Sequence, residues 1–144
     1  MASFTGDGTL TPYQKKLLRS FFVQFYGESG RWFPWRSPGT SPFHLLLAEI
    51  LLRQTQADQV VPCWQVLTQR VQSPMDILRM PKTEIHEIVA PLGLANQRTD
   101  ALTACSSALV AQHSGVVPRS PDTLTTLPHV GAYTADVQVF RVSQ

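Results

Sequence analysis

The chain has 144 residues, of which 43% are hydrophobic and 15% are charged, a composition typical of one soluble globular domain rather than a disordered or membrane-embedded one. The formal net charge of +2 permits a local nucleic-acid-binding patch without requiring one. Residues 1–10 lack a basic segment followed by an apolar run, so no signal peptide is predicted there. The longest apolar run, Leu45–Leu52, contains Glu49 and is too short to span a bilayer, so no membrane contact is expected.

An all-α fold is predicted, because apolar residues recur at helical spacing along most of the chain and no segment alternates with a period of two. Proline, glycine and N-cap residues mark the helix ends. In chain order, the predicted helices are Pro12–Tyr26, Phe43–Arg53, Asp58–Val71, a short helix opened by Ser73 and Pro74, Pro81–Val89, a helix capped by Asn96 that reaches His113, Pro121–Thr126, and a last helix from Tyr133.

The second predicted helix is expected to lie centrally in the fold. Ser41 and Pro42 supply its N-cap and a proline at its first position, and the residues that follow are apolar around most of its circumference. Before it, residues 31–36 (RWFPWR) form a loop in which two arginines flank three aromatic rings. In the third helix, Pro62 is expected to be tolerated because it falls within the first turn.

The two cysteines, Cys63 and Cys105, are far apart in helical segments and match no metal-ligand spacing, so they are predicted to be buried free thiols. Free thiols indicate a reducing compartment, and the cytoplasm is the expected location. His44, His86 and His113 have no cysteine, histidine or carboxylate partner at ligand spacing. No metal site is predicted.

Glu49 lies within an apolar helix, where a buried carboxylate is costly unless it is paired or protonated. One interpretation is a buried acid whose pKa is raised by desolvation, which suits a general acid near neutral pH. The other is a polar stripe that reaches solvent through Glu49, Arg53 and Gln56, spaced i, i+4 and i+7. The residues alone leave both interpretations open.

Two further segments have side chains or backbone groups suited to nucleic acid. Residues 53–56 (RQTQ) form a polar cluster at a helix C-terminus, able to hydrogen-bond bases or phosphates and equally consistent with a solvated turn. Residues 127–135 place a glycine-containing turn between two short helices, where backbone N–H groups at a helix N-terminus bind phosphate. In isolation, the second segment is also typical of any turn between two helices.

These segments occur together and in one order, and in this they resemble DNA glycosylases of the helix-hairpin-helix superfamily. The front half resembles MutY-type adenine glycosylases, and the later segments follow as they do in endonuclease III and in the archaeal thymine/guanine mismatch glycosylases. The similarity runs from about residue 31 to residue 140. The matching segments are residues 33–36 (FPWR), 42–43 (PF), 48–56 (AEILLRQTQ), 93–98 (GLANQR) and the hairpin 127–135 (LPHVGAYTA).

The resemblance implies roles for individual residues. Glu49 matches the acid that protonates the departing adenine in MutY-type enzymes. Gln54 and Leu94 match two wedges that enter the duplex, the first where the target nucleotide has been extruded and the second beside the opposite base. The other implied DNA contacts are Arg53 and Thr55 beside the first wedge, Asn96, Gln97 and Arg98 near the opposite base or its backbone, and the turn at His129, with the amides of Val130 and Gly131 on a phosphate.

Tyr133 bears on the type of reaction. At the matching position, endonuclease III-type enzymes carry a lysine that forms a Schiff base, MutY-type enzymes usually carry a serine, and the thymine/guanine mismatch enzymes resemble this chain in carrying a tyrosine. Because tyrosine cannot form the imine, the resemblance implies a monofunctional glycosylase without lyase activity, with adenine or thymine as its target. Tyr133 is equally consistent with a core residue in one stripe with Val137 and Phe140.

The sequence departs from the family pattern in two places. His129 stands where the family hairpin usually has glycine, so a turn position that favours positive φ holds a side chain, which weakens phosphate binding or, when protonated, assists it. The family's catalytic aspartate follows the helix that begins at Tyr133, and the chain reaches Gln144 before such a residue, while Asp136 lies in a different frame. C-terminal truncation is therefore expected. The iron–sulfur cluster of longer relatives, whose cysteines lie in the part beyond, is expected to be absent from this chain.

The expected organisation is an N-terminal helix within residues 1–30, belonging to a second and incomplete helical domain, and a helical barrel-type domain over residues 31–144 with its helix-hairpin-helix at residues 121–141. The phenylalanine face of the N-terminal helix is expected to be exposed and open to self-association.

The predicted function is base-excision repair, in which a mispaired base is flipped out of double-stranded DNA and removed. The alternative is a truncated or degenerate paralogue that binds DNA or a protein without catalysis. Either is expected on the nucleoid in the cytoplasm, or in the nucleus of a eukaryote.

Overall fold

A computed structural model describes residues 12–13, 33–131, 134–135 and 138. Within these residues the fold is helical and contains no strand, which confirms the predicted all-α class. None of the described helices is long and apolar enough to cross a membrane. The helices of this part of the chain are α1 (Pro42–Leu51), α2 (Ala57–Arg70), α3 (Pro74–Arg79), α4 (Lys82–Val89), α5 (Ala95–His113) and α6 (Pro121–Leu124), with 3₁₀ turns at Pro34–Arg36 and Ala90–Leu92.

Helix α1 lies at the centre of the fold, as its apolar circumference predicts. The Ser41 hydroxyl accepts a hydrogen bond from the His44 amide at 3.1 Å, and Pro42 occupies the first helical position. Helices α2 and α5 pack against α1, and the Gln138 Nε2 atom donates to the Pro42 carbonyl at 2.8 Å. The buried residues of α1 are Phe43, Leu45, Leu46, Leu47, Ala48, Glu49, Ile50 and Leu51.

The aromatic segment before α1 is part of the core rather than the predicted loop. Pro34–Arg36 form a 3₁₀ turn, and the Phe33 and Trp35 rings are buried and stacked with their centroids 5.2 Å apart. Trp35 meets the Trp64 ring of α2 edge-on at 5.7 Å. Large aromatic side chains contribute most when they are buried against one another in this way, so the segment fixes α1 against α2. Residues 31–32 of the predicted loop lie outside the described part.

The end of α1 and the start of α5 differ from the prediction. Helix α1 ends at Leu51 rather than Arg53, and the turn that follows contains Gln54 with a left-handed φ of 58°. Helix α5 begins at Ala95 with Leu94 at the N-cap, also left-handed at φ 52°, so the predicted cap at Asn96 is wrong. Both corrections have one cause, which is that residues with ordinary side chains adopt a backbone conformation that normally favours glycine.

Two smaller corrections concern α2 and α6. Pro62 lies inside α2 beyond its first turn, where it is exposed and leaves one backbone carbonyl of the helix without its usual donor. Helix α6 ends at Leu124 rather than Thr126, and the Thr126 amide donates to the Thr123 carbonyl at 3.1 Å in a tighter turn.

Several predictions concern residues outside the described part. Of the predicted N-terminal helix, only Pro12 and Tyr13 are described, and they are helical and exposed. Of the predicted last helix, Thr134, Ala135 and Gln138 are described, and they are helical and buried. The roles suggested for Tyr133 and self-association through the N-terminal helix therefore stay predictions, as does the division into domains.

Candidate nucleic-acid interface

Two turns from distant parts of the sequence carry the two predicted wedge residues. The Gln54 turn (residues 52–55) follows α1, and the Leu94 turn (residues 92–95) precedes α5. Both wedge residues are exposed, Leu94 to 48%. Their left-handed backbones cost about 1–2 kcal/mol each, because the β carbon crowds the following carbonyl oxygen. Strain of this kind persists where the surroundings fix it, and it clusters at functional sites.

The two turns and the hairpin turn at His129 line one open cleft of about 280 Å³. The cleft brings together six of the predicted site residues, Arg53, Gln54, Leu94, Gln97, Arg98 and His129. Sequence reasoning missed the rest of the lining, Ile50, Asp100 and Ala101. The available signal was spacing, since Leu94, Arg98 and Ala101 lie at i, i+4 and i+7 and therefore share one face of α5.

Arg53 connects the Gln54 turn to the hairpin turn. Its Nη1 atom donates to the His129 carbonyl at 3.0 Å, and the side chain is otherwise exposed. His129 has a φ of 65°, which confirms that a side chain occupies a turn position where glycine is favoured. One hydrogen bond leaves most of the donors of the Arg53 guanidinium directed at solvent on the rim of the cleft.

The two hairpin amides predicted to bind phosphate, those of Val130 and Gly131, have different hydrogen-bonding surroundings. The Val130 amide donates to the Leu127 carbonyl at 3.3 Å, and the Val130 side chain is buried, so Val130 anchors the turn. Gly131 is exposed, and its carbonyl accepts from the Ala135 amide at 2.9 Å, which marks the start of the last helix. Among the described residues, the Gly131 N–H donates to no backbone carbonyl. Of the two amides, that of Gly131 is therefore the better placed to meet a ligand.

Glu49 is buried, with 2% of its surface exposed. The interpretation as a solvated stripe is wrong, because α1 ends at Leu51 and the Arg53 side chain belongs to the turn beyond it. Glu49 does not itself line the cleft, although the next residue, Ile50, does. The buried acid is therefore next in sequence to a residue of the cleft lining at the end of α1.

Two other predicted contacts lie beside the cleft rather than in its lining. The Thr55 hydroxyl donates to the Gln59 Oε1 atom at 3.1 Å, so it holds the first turn of α2 to the Gln54 turn. Asn96 lines a separate surface cavity of about 690 Å³ between α4 and α5, together with Lys82, Thr83, His86, Glu87, Thr99 and Asp100. The DNA contacts suggested for Thr55 and Asn96 stay predictions.

Arg98 lines the cleft but is mostly buried, and the DNA contact suggested for it stays a prediction. Only 5% of it is exposed, and its guanidinium contacts protein carbonyls. Burial lowers the pKa of Arg98 from its usual value, and interaction with Cys63 opposes this. The donors reach both turns: Nη1 to the Leu51 and Arg53 carbonyls at 3.1 and 2.9 Å, Nε to the Gly93 carbonyl at 2.8 Å, and Nη2 to the Leu92 carbonyl at 3.5 Å.

Residues 47–144 match the family model of the HhH-GPD superfamily of base excision DNA repair proteins. The chain belongs to this superfamily. This confirms the resemblance drawn from the ordered segments, and the matched residues include the Gln54 turn, the Leu94 turn and the hairpin.

Relatives in the HhH-GPD superfamily include enzymes named for different target bases. The chain is 34% identical over 124 residues to the thymine/uracil-DNA glycosylase of Methanothermobacter thermautotrophicus, and this alignment covers 86% of this chain and 56% of that protein. It is also 34% identical over 113 residues to the adenine DNA glycosylase of Mycolicibacterium smegmatis, and this alignment covers 78% of this chain and 38% of that protein. The solved structure of a thermostable thymine-DNA glycosylase matches with a TM-score of 0.73 at 33% identity over 87% of this chain and 57% of that one. The match confirms the helical glycosylase fold, and the chain spans about half the length of these relatives.

The two cysteines are buried free thiols, as predicted. Burial raises the pKa of the Cys105 thiol to about 12. Burial also raises the pKa of Cys63, and the charge of Arg98 opposes that rise. Two such thiols do not fit the four-cysteine ligand set of an iron–sulfur cluster. Within the described residues, no three histidine, cysteine or carboxylate side chains cluster as metal ligands would.

Proposed function

We propose that this chain acts as a DNA glycosylase of base excision repair that removes a mispaired base, adenine or thymine, opposite guanine or oxidised guanine. The observation that carries the proposal is the cleft in which Gln54 and Leu94 lie together with the His129 turn. The names of the relatives, thymine/uracil-DNA glycosylase and adenine DNA glycosylase, support a base in DNA as the substrate.

The two wedge residues would open the duplex from one side. Leu94 presents an exposed apolar side chain to water, and that surface is buried when it inserts between bases. The Gln54 amide has donors and an acceptor for the edge of a base that has lost its partner. Extrusion of a nucleotide costs a few kcal/mol, and the cost is smallest at a mispair. A mispaired base is therefore the one that this cleft selects.

Backbone contacts would hold the duplex while it is opened. Arg53 lies on the rim of the cleft with donors directed at solvent, and the Gly131 N–H lies at the start of the last helix, where an anion is favoured. Few cationic side chains take part, so the salt dependence of binding is expected to be correspondingly shallow.

The chemical step would use Glu49 as the general acid. Glu49 is enclosed by the apolar residues of α1, so its carboxyl group is shielded from bulk water. The acid donates its proton to the departing base as the N-glycosidic bond breaks; water then adds to the sugar carbon, and the proton that water loses restores the acid. No amine is available at Tyr133, so no Schiff base forms and the DNA strand is left intact at an abasic site.

An assay of alkali-labile sites tests the proposal. The purified chain is incubated with end-labelled duplexes that contain thymine opposite guanine, adenine opposite guanine, or adenine opposite oxidised guanine, with a fully matched duplex as the control. We expect strand scission after alkali on at least one mispaired duplex, and no scission on the matched one. Preferential binding of a mispaired duplex without scission would leave only the alternative function of binding without catalysis. Scission without alkali would contradict the monofunctional assignment.

A further inference from the structure

One buried side chain connects the two turns that carry the wedges. The Arg98 guanidinium donates to the Arg53 carbonyl at 2.9 Å on one side and to the Gly93 carbonyl at 2.8 Å on the other. We propose that Arg98 is a positioning residue that fixes the Gln54 turn against the Leu94 turn, so that both wedges enter DNA as one unit. The proposal deepens the proposed function and rests on it for the identity of the wedges.

The acceptors of Arg98 explain how it acts on the wedges. The Arg53 carbonyl belongs to the peptide unit directly before Gln54, and the Gly93 carbonyl belongs to the peptide unit directly before Leu94. The φ angle of a residue is the rotation that follows this peptide unit, so a hydrogen bond that fixes the carbonyl also restrains φ. Arg98 thereby restrains both left-handed residues at once, against the strain that favours their relaxation.

Arginine is suited to this task and lysine is not. The planar guanidinium holds its donors in a fixed fork, so one side chain bonds carbonyls that lie in different directions, whereas the single lysine nitrogen offers donors from one point. Arg98 forms no ion pair with a described carboxylate, and its charge meets the carbonyls at the C-terminal end of α1, where the helix dipole is negative. Because the group is buried, these bonds are shielded from competition by water.

Hydrogen exchange on the free chain tests the restraint without reference to DNA. The variants are Arg98→Lys and Arg98→Met, and the control is Arg79→Met, which removes an exposed arginine at the end of α3. The reporters are the hydrogen-bonded amides of Leu52 and Gly93, one in each turn. In Arg98→Met we expect exchange at both amides to rise about tenfold or more, as loss of a charged hydrogen bond implies. In Arg98→Lys we expect the rise in one turn and wild-type exchange in the other.

Two exchange results would overturn the proposal. One is unchanged exchange at both reporter amides in both Arg98 variants. The other is an equal rise throughout the chain, including α2, because that pattern reports general loss of stability rather than release of the turns. The lysine variant keeps the charge and most of the volume of the side chain, so it gives an answer even if the methionine variant does not fold.

A double-mutant cycle on base flipping tests the consequence for function. The signal is the fluorescence of 2-aminopurine next to a mispair, and the Leu94→Ala substitution is made in the wild-type and Arg98→Lys chains. If Arg98 positions the wedge, misplacement in Arg98→Lys lowers the extent of flipping by about 10- to 100-fold, and Leu94→Ala costs far less in that background than in the wild type. Equal costs in both backgrounds would overturn the proposal. Failure of the wild-type chain to flip any base contradicts the proposed function instead, and leaves the exchange result to decide the role of Arg98.

Discussion

The side chains of Gln54 and Leu94 line the same cleft, and both residues hold a left-handed backbone, with φ of 58° and 52°. Neither is glycine, so each turn stores strain at the position where a side chain is presented to the cleft. Strain and exposure therefore coincide at the two positions that the proposed function assigns to contact with DNA.

Removing these side chains should stabilise the chain and impair duplex opening. Leu94→Gly and Gln54→Gly are each expected to raise the free energy of unfolding by roughly 0.5–1 kcal/mol, because glycine adopts positive φ without a steric cost. Flipping at a mispair, read by 2-aminopurine fluorescence, is expected to fall in both variants. Urea denaturation measures the stability.

Ser114 supplies the matched control for that prediction. It has a φ of 54° and is exposed at the end of α5, away from the lining of the cleft. Ser114→Gly should give the same stabilisation with no change in flipping. A loss of flipping in Ser114→Gly equal to that in Leu94→Gly would show that the effect does not come from the cleft.

Glu49→Gln tests the acid with little change of shape. The amide keeps the size of the buried side chain but has no acidic proton to transfer, so alkali-labile scission is expected to fall by about 10²- to 10⁴-fold. Binding of the mispaired duplex, measured by fluorescence anisotropy, is expected to stay within twofold of the wild-type value. Scission at the wild-type rate in a folded Glu49→Gln chain would remove Glu49 from the mechanism.

Arg53→Gln tests the phosphate contact. Loss of the Arg53 charge is expected to weaken binding of matched and mispaired duplexes alike. It is also expected to reduce, by about one, the slope of the logarithm of the DNA-binding constant against the logarithm of salt concentration. The control is Arg70→Gln, since Arg70 is paired with Glu84 at 2.7 Å on the exposed surface and lies outside the cleft. Salt titrations of both variants give the slopes. An unchanged slope in Arg53→Gln would place the phosphate contact elsewhere.

The Cys105 thiol makes stability depend on alkaline pH. Burial raises its pKa from 9.0 to about 12, so below pH 9 both the folded and the unfolded chain hold the proton and no stability is lost. Between pH 9 and 12 the unfolded chain releases the proton and the folded chain keeps it, so the free energy of unfolding falls by about 1.4 kcal/mol per pH unit from this group. Cys105→Ala should reduce the slope of the free energy of unfolding against pH, measured between pH 9 and 10.5, by this amount. Parallel slopes in the two chains would contradict it.

Local signals predicted the features that depend on neighbouring residues. Ser41 and Pro42 mark the start of α1 because the cap bond and the fixed φ of proline act within a few residues. The apolar circumference of α1 correctly placed it at the centre, whereas the residues alone left the burial of Glu49 open. The positive φ of His129 was instead predicted from the resemblance, because the family hairpin usually has glycine at this position.

The features that sequence patterns missed depend on distant contacts. Leucine is a poor residue for a left-handed backbone, so nothing local marks Leu94 as the N-cap of α5 and Asn96 is the natural choice. The neighbours of Arg98 do not predict its burial, because the carbonyls of Leu51 and Arg53 that it bonds belong to a helix end far back in the sequence. The role of Tyr133 lies outside the described residues and rests on resemblance alone.

The most direct test of the account is whether this chain opens DNA at a mispair. The measurement is the fluorescence of 2-aminopurine placed beside a guanine–thymine or guanine–adenine mispair, at protein concentrations that saturate binding, with a matched duplex as reference. We expect a rise in fluorescence on a mispaired duplex, little change on the matched one, and loss of the rise in a chain that carries both Gln54→Ala and Leu94→Ala. Equal fluorescence on bound matched and mispaired duplexes would contradict the assignment of the cleft as the site of base flipping.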